Sequence, residues 1–199
     1  MTQSPVPESL PTPEPPTPTP PQQGKSLTAS VKTFLYETLT TILPALVLVL
    51  IINVFLGEAR RVEMQSMEPN LYENQRLIIE KISYRLHRPQ RGDIIVLRLP
   101  NHNGEPPLIK RVIGLPGEIV EIRGGQVYIN GKPLTETYLT ERADTDMAPC
   151  PVPANSVFVL GDNRPVSNDS RYFGPISDAD IIGRACFRYW PLSQIGPVN

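Results

Sequence analysis

Apolar residues follow two patterns along this chain: one long run near the N-terminus and many short runs after it. Between residues 39 and 56 nearly every residue is apolar, about eighteen in a row, with Pro44 near one end and Asn53 near the other. That length approaches the ~20 residues that a helix needs to cross ~30 Å of hydrocarbon. A helix in a soluble core would show a polar face, which this run lacks. The pattern predicts a transmembrane anchor helix over residues 31–58.

A cleaved signal peptide is the alternative interpretation of the same run. Gly57-Glu58-Ala59 presents small residues at the spacing required for removal after Ala59. However, a signal-peptide core is usually about 7–15 residues long and follows a short basic start. The longer run therefore favours a retained anchor. Two lysines before the run and two arginines after it nearly cancel under the positive-inside rule, so charge does not set the orientation.

The rest of the chain shows short apolar runs of the strand type, rich in β-branched residues and bounded by Gly, Pro or Asn. These runs lie at 77–79, 93–99, 108–113, 156–160 and 181–189. Gly124-Gly125 separates two further runs, 118–123 and 126–130, which is typical of a hairpin. The pattern predicts an all-β, mainly antiparallel domain over residues 59–199.

Composition changes this organisation at the N-terminus and narrows the range of partners. Nine of the 24 prolines lie from Pro5 to Pro21, so residues 1–30 are predicted to form a disordered tail. The net charge of −1 offers no electrostatic case for a nucleic-acid partner. Cys150 and Cys186 are too few and too far apart for zinc. They form a disulfide if the body lies outside the cytoplasm, or stay unpaired, and the sequence leaves both alternatives open.

Lys110 is the first candidate for chemistry. Because side chains alternate along a strand, Leu108, Lys110 and Val112 share one face. A lysine there either snorkels at a sheet edge or is buried, and snorkelling is the commoner outcome. Burial would lower its pKa from ~10.4, and a shift of about two units costs roughly 2.7 kcal/mol. Only the buried alternative makes Lys110 a general base.

Ser66 and the loop 161–174 supply the partners that such a base would need. Ser66 reads as an ordinary turn residue, or as a nucleophile at the end of a short strand predicted over 61–64, with its N–H as a candidate oxyanion donor. The loop reads as a charged surface turn, or as a brace for the site. In the second case Asp169 and Arg171 pair with each other or with Arg111, while Ser167 orients the lysine amine.

Three segments together resemble the sequence boxes of type I signal peptidases of the bacterial and organellar kind, which are Ser-Lys dyad serine proteases of family S26. They are Ser66-Met67-Glu68-Pro69, the stretch 110–118 and the loop 161–174, in family order behind the apolar run. The resemblance covers the predicted anchor and nearly all of the body, but not the Pro-rich tail. It implies coiled antiparallel β-sheets on the extracytoplasmic face of a membrane, with the tail inside.

The resemblance also implies roles for individual residues. Ser66 is the expected nucleophile and Lys110 the expected general base. Val62, Met64 and Ile109 are expected to bind substrate, as walls of pockets that accept only small side chains. The expected supporting residues are Ser167 for the lysine amine, Asp162 for the loop, and Asp169, Arg171 and Arg111 for ion pairs.

The implied function is a membrane-bound serine endopeptidase that removes N-terminal signal peptides from secreted preproteins, with no metal or organic cofactor. Its partners would be those preproteins, the lipid bilayer and, transiently, the translocation machinery, at a plasma (inner) or thylakoid-type membrane. Three residues depart from the family pattern. Met64 stands where some members carry a serine that completes the oxyanion hole, Asn70 where threonine is common, and Pro165 where a polar residue is common.

Three other interpretations compete with this one. Self-cleaving Ser-Lys repressors share the dyad but are soluble, so the apolar run argues against them. Endoplasmic-reticulum relatives use histidine as the base, and His102 lies nearby, although the Lys-Arg box fits the lysine type better. A membrane-tethered binding module without activity would leave Lys110 as a solvated strand residue.

Overall fold

The structure is a computed structural model that describes residues 27–55, 58–100, 104–142 and 144–198. Most of the tail predicted over 1–30 lies outside the described residues, as does His102. The chain divides at residue 44 into two compact units, and the division falls within helix α1 (Leu27–Phe55). Helix α1 begins at Leu27, four residues before residue 31, where the sequence predicted that the anchor begins.

Helix α1 contains 29 residues, with Pro44 inside it. Large apolar side chains are exposed at eleven of its positions, from Val31 to Val49. Its first half also carries Lys32, Glu37 and several threonines, which interrupt the apolar surface. Among the described residues, no helix meets the length and apolarity needed to span a bilayer. The transmembrane helix predicted over 31–58 is therefore not confirmed.

Twelve strands and two further short α-helices follow in the described residues, besides three one-turn 3-10 helices. The strands are β1 (Glu58–Arg61), β2 (Arg76–Glu80), β3 (Ile94–Leu97), β4 (Leu108–Gly114), β5 (Ile119–Arg123), β6 (Gln126–Ile129), β7 (Lys132–Pro133), β8 (Met147–Pro151), β9 (Ser156–Leu160), β10 (Ile176–Ser177), β11 (Ile181–Trp190) and β12 (Gly196–Pro197). The helices are α2 (Ser83–Leu86) and α3 (Ser170–Phe173). Every strand pairing between them is antiparallel, which confirms the predicted all-β, antiparallel class.

The larger sheet has eight strands in the order β1-β2-β11-β3-β4-β9-β10, with β12 beside β11. Strand β4 lies inside this sheet, between β3 and β9, and all of its residues except Leu108 are buried. Apolar clusters cover both faces of the sheet, so β4 carries apolar residues on either side of its two central charged residues, Lys110 and Arg111. A polar side chain on β4 is consequently surrounded by protein.

The smaller sheet has four strands in the order β7-β6-β5-β8. Strands β5 and β6 form the predicted hairpin, and Gly124 and Gly125 both adopt the positive φ that its two-residue turn requires. Residues from both sheets share one apolar cluster, which includes Phe158 and Leu160 from β9 and Val120 and Ile122 from β5. This cluster packs the smaller sheet against the end of β4.

Candidate active site

Ser66 lies in contact with Lys110, which is on β4 inside the larger sheet. Ser66 is in a one-turn 3-10 helix, Gln65–Met67, which packs against β4. The Lys110 Nζ donates a hydrogen bond of 2.7 Å to the Ser66 Oγ. The strand expected over 61–64 differs from β1, which ends at Arg61, because the chain must turn into the short helix to reach β4. Residues 44 positions apart in the sequence thus form one buried pair.

Burial decides the state of Lys110. Its side chain is 1 % exposed, so the interpretation of a snorkelling or solvated lysine is wrong. Burial lowers the pKa of the Lys110 amine to about 8, against the opposing charges of Asp169 and Asp162 and with a smaller lowering contribution from Arg171. At a pKa of that size about half of the amine is neutral near pH 8. A neutral amine is able to accept a proton from the serine hydroxyl.

Two buried ion pairs stand beside the dyad. The Arg111 guanidinium donates to both Asp162 oxygens, at 2.9 and 2.8 Å. The Arg171 Nε donates to the Asp169 Oδ1 at 2.8 Å. Of the alternatives that the sequence left open, Asp169 therefore pairs with Arg171, whereas Arg111 pairs with Asp162. The interpretation of the loop as an exposed charged turn is wrong, because both carboxylates are completely buried.

Ser167 lies next to the backbone of the nucleophile. It is buried, and its hydroxyl has no hydrogen-bond partner in the part of the chain that the structure describes. Gly161 is wedged between Ser167 and the Ser66 carbonyl, where a Cβ would collide with the Ser167 Oγ and the Ser66 O. Gly161 therefore allows the loop to approach the nucleophile closely. No hydrogen bond from Ser167 to Lys110 is present among the described residues.

Two cavities meet at Ser66. The first, about 340 Å³, is lined by the three expected substrate-binding residues, Val62, Met64 and Ile109. The second, about 500 Å³, is lined by Lys110 as well as Ser66, with the carboxylates of Glu63, Glu73 and Glu105 on its walls. Both cavities are lined by Met64 as well as Ser66.

Four residues of the site were not identified as functional from the sequence. Asn70, noted there only as a departure from a family pattern, donates through Nδ2 to the Asp162 Oδ2 and to the Tyr138 carbonyl, both at 2.9 Å. The Tyr138 ring covers the Arg111 guanidinium, 4.0 Å from its centroid. Arg164 and Glu136 form a third buried ion pair at 2.5 Å. Arg164 lies in the loop motif 161–174, but no sequence pattern indicated that Glu136 or Tyr138 is functional.

The remaining candidates take no part in this site. Cys150 and Cys186 are both free, and Cys186 lies in β11, where burial raises the pKa of its thiol. The described residues hold no group of three His, Cys, Asp or Glu side chains that is arranged to bind a metal ion.

A serine hydroxyl that is hydrogen-bonded to a buried amine beside a cleft is the arrangement of a serine hydrolase that uses lysine as its base. The chain belongs to the family of signal peptidases, peptidase S26, whose sequence model matches residues 35–190. It is therefore an enzyme, and the activity of its family is the removal of signal peptides by a serine peptidase.

Curated relatives match most of the chain. It is 46% identical over 195 residues to signal peptidase I of Leptolyngbya laminosa, covering 95% of this chain and 94% of that one. It is 44% identical over 160 residues to probable signal peptidase I-2 of Synechocystis sp., covering 78% and 73%. It is 35% identical over 149 residues to thylakoidal processing peptidase 1, chloroplastic, of Arabidopsis thaliana, covering 70% and 44%.

A solved structure is also similar to part of the chain. The crystal structure of a signal peptidase I from Enterococcus faecalis V583 shares 41% identity and covers 49% of this chain and 97% of that one, with a TM-score of 0.43.

Proposed function

We propose that this chain is a membrane-associated serine endopeptidase that removes N-terminal signal peptides from exported preproteins, with Ser66 as nucleophile and Lys110 as general base. The observation that carries the proposal is the 2.7 Å hydrogen bond between the Lys110 Nζ and the Ser66 Oγ in a buried pocket. The relatives named signal peptidase I support the assignment of preproteins as substrates.

The reaction is acyl transfer in two stages. Neutral Lys110 takes the proton from Ser66 as the Oγ attacks the scissile carbonyl carbon, and the carbonyl π electrons move onto its oxygen. The Ser66 N–H donates to that oxyanion. Collapse of the intermediate breaks the C–N bond while the Lys110 ammonium returns the proton to the leaving amine. Water then attacks the ester, with Lys110 again as base, and restores the serine.

The two cavities give the substrate a direction. Lys110 must deliver its proton to the leaving nitrogen and it lines the second cavity, so the new N-terminus leaves on that side. The signal-peptide side then lies in the first cavity, against Val62, Met64 and Ile109. Strand β1 is at the edge of the larger sheet. Its outer edge pairs with no strand among the described residues and is able to accept an extended peptide by backbone hydrogen bonding.

The loop 161–174 and Arg111 have supporting roles in this proposal. Asp169, paired with Arg171, accepts the Gly161 N–H at 3.0 Å, and Asp162, paired with Arg111, fixes the loop to β4. Ser167 is the candidate to orient the lysine amine, because its buried hydroxyl has no other partner among the described residues.

Membrane association is the second part of the proposal. Apolar side chains such as Phe34, Leu39 and Leu46 are exposed along α1, a surface that water does not solvate well. We propose a thylakoid-type or plasma (inner) membrane, and the thylakoidal name of one relative supports the first of these. The body is proposed to lie on the extracytoplasmic side, where it meets preproteins as they leave the translocation machinery. Carbonate extraction tests the association, and protection of the body from added protease tests the side.

Alanine substitution tests the dyad. In the full chain in detergent, Ser66→Ala and Lys110→Ala should each abolish cleavage of a preprotein while the circular dichroism spectrum stays unchanged. The matched controls are Ser193→Ala and Lys132→Ala, at exposed positions outside the site, and these should cleave at the normal rate. Cleavage that survives either dyad substitution would remove the proposal.

A further inference from the structure

The connection between β7 and β8 carries a buried carboxylate that the proposed reaction does not use. The Glu136 side chain is 1 % exposed although its neighbours lie on the surface. It accepts hydrogen bonds from the Arg164 Nη2 at 2.5 Å and from the Tyr138 hydroxyl at 2.7 Å. Burying a charge is costly unless it is paired and hydrogen-bonded, and Glu136 is both.

Tyr138, two residues further on, contacts the ion pair beside the dyad. Its ring lies over the Arg111 guanidinium at 4.0 Å, which shields one face of the Arg111–Asp162 pair from water. Its backbone carbonyl accepts from the Asn70 Nδ2, and the same amide donates to Asp162. Side chain and backbone of Tyr138 therefore both seal this ion pair.

Glu136 reaches the nucleophile through Arg164. The Arg164 Nε donates to the Gly161 carbonyl at 2.9 Å, and the Arg164 carbonyl accepts from the Arg171 Nη2 at 2.7 Å. Gly161 in turn packs so closely on the Ser66 carbonyl that a Cβ would not fit. Through Arg164, Glu136 thus helps to hold Gly161 in place against the Ser66 carbonyl.

From these contacts we propose that Glu136 and Tyr138 form a clasp, a pair of positioning residues that holds Gly161 against Ser66 and keeps water from the Arg111–Asp162 ion pair. Glu136 acts through Arg164, and Tyr138 acts through Arg111. The clasp rests on the proposed function, because its effect is expressed through the Ser66–Lys110 dyad.

Opening the clasp acts on Lys110 through solvent rather than through net charge. Burial lowers the pKa of Lys110 most, Asp169 and Asp162 raise it, and Arg171 lowers it. The carboxylates of Glu63, Glu73 and Glu105 line the cavity that Lys110 also lines. Glu136 is neutralised by Arg164, so loosening the pair admits water without adding an uncompensated charge at the dyad. Because burial is the largest cause of the lowered pKa, entry of water raises the pKa and leaves less neutral amine at a given pH.

Steady-state kinetics of preprotein cleavage by the full chain in detergent test the clasp. Tyr138→Leu removes the ring, Tyr138→Phe removes only the hydroxyl, and Glu136→Gln removes the charge. We expect kcat at pH 7 to fall about tenfold in Tyr138→Leu, with KM nearly unchanged and the ascending limb of the pH profile shifted upward by about one pH unit. Glu136→Gln loosens Arg164 and Gly161 but leaves the Arg164 charge uncompensated, and a nearby cation lowers the pKa of an amine. In Glu136→Gln we therefore expect a similar fall in kcat without the upward shift of the limb. The kcat of Tyr138→Phe should lie between that of Tyr138→Leu and that of the unmodified enzyme.

The smaller sheet offers a matched control. The Tyr128 ring covers the Arg123 guanidinium at 4.1 Å, which is nearly the same contact away from the dyad. Tyr128→Leu should leave kcat, KM and the pH limb unchanged. If Tyr138→Leu and Glu136→Gln lower only the melting temperature and keep kcat and the pH limb, the clasp is merely structural and the proposal is overturned.

Two further outcomes keep the test decisive. If Tyr138→Leu and Glu136→Gln do not fold, Tyr138→Phe decides, because it keeps the ring over Arg111 and loses only the hydroxyl that donates to Glu136, so an unchanged kcat in it overturns the clasp. Failure of the proposed function has a different signature. It appears as cleavage by Ser66→Ala or Lys110→Ala, whereas failure of the clasp appears as inactive dyad variants beside normal clasp variants.

Discussion

Two arginines in this protein make nearly the same contacts in very different surroundings. Arg111, in the larger sheet, lies 4.0 Å from the Tyr138 centroid and 2.8 Å from an Asp162 oxygen. Arg123, in the smaller sheet, lies 4.1 Å from the Tyr128 centroid and 3.0 Å from a Glu121 oxygen. The side chains of the first ion pair are 3% and 0% exposed, whereas those of the second are 55% and 23% exposed.

The comparison shows that burial, and not contact distance, decides what a charged group does here. An exposed ion pair contributes about 0–1 kcal/mol, because water solvates its members almost as well as they solvate each other. In a buried pair each charge depends on its partner, so the loss of one leaves the other unsolvated. The same burial that makes the Arg111–Asp162 pair obligatory lowers the pKa of Lys110 and makes it a base.

The sharpest version of the comparison is between Lys110 and the exposed Lys132. Lys110→Met should lower the rate of preprotein cleavage by roughly 10⁴-fold, because it removes the general base. It should also raise the free energy of unfolding at pH 7 by about 3 kcal/mol, since the folded state no longer holds an amine with a depressed pKa. Lys132→Met should change either quantity little. Denaturant unfolding and a cleavage assay measure both.

The sign of this stability effect is set by the direction of the pKa shift. Between about pH 8 and the ordinary lysine pKa of 10.5, the unfolded chain binds the proton that folded Lys110 has lost. The stability contributed by this group therefore rises with pH across that window, and its cost is fully present below pH 8. A Lys110→Met variant with the same stability advantage at pH 7 and pH 10.5 would contradict a buried neutral amine.

Removing one carboxylate from each arginine should give the next largest difference. Asp162→Asn should destabilise the protein by about 3–5 kcal/mol, because it leaves Arg111 charged and buried. Glu121→Gln should cost less than about 1 kcal/mol. Urea denaturation of both variants gives the two values, and equal costs would show that the difference in burial has no energetic consequence.

A pH profile examines the lysine at the site without any substitution. The cleavage rate should rise about tenfold between pH 7 and pH 9, because the neutral fraction of an amine with a pKa of about 8 grows in that range. The rise follows from burial, the largest cause of the shift. A rate that stays flat across this interval would argue against Lys110 as the base.

Salt should give the smallest effect. The stabilisation lost in Glu121→Gln should shrink by a few tenths of a kcal/mol when sodium chloride is raised to about 1 M, since the Debye length then falls to about 3 Å. The cost of Asp162→Asn should not change, because ions do not reach that pair. Equal salt dependence in the two variants would contradict the exposures of the two pairs.

The sequence predicted most of the larger sheet, because its strands are short β-branched runs between turn residues. Strand β8 was not predicted, since Met147–Pro151 contains two prolines that argue against a strand. The structure accommodates them because β8 is at the edge of the smaller sheet, where a missing ladder donor is tolerated.

The candidate site was predictable only as far as local pattern and family resemblance reach. Alternation along β4 placed Lys110 on a face but did not say what covers that face, and its burial depends on segments far away in sequence. For the same reason the partner of Arg111 stayed open between residues of one loop. Glu136 and Tyr138 lie in a polar connection without periodicity, so only the assembled tertiary structure brings them to Arg164 and Arg111.

Strand β1 ends at Arg61, and the nucleophile follows five residues later in the short helix that packs on β4. On the proposed function, pairing of a substrate strand with β1 sets the register of that strand relative to the Ser66 Oγ. A register shift of one residue would turn each side chain of the substrate strand toward the opposite side of the cleft. The enzyme would therefore select the scissile bond by backbone register, and its pockets would select for small side chains at only a few substrate positions.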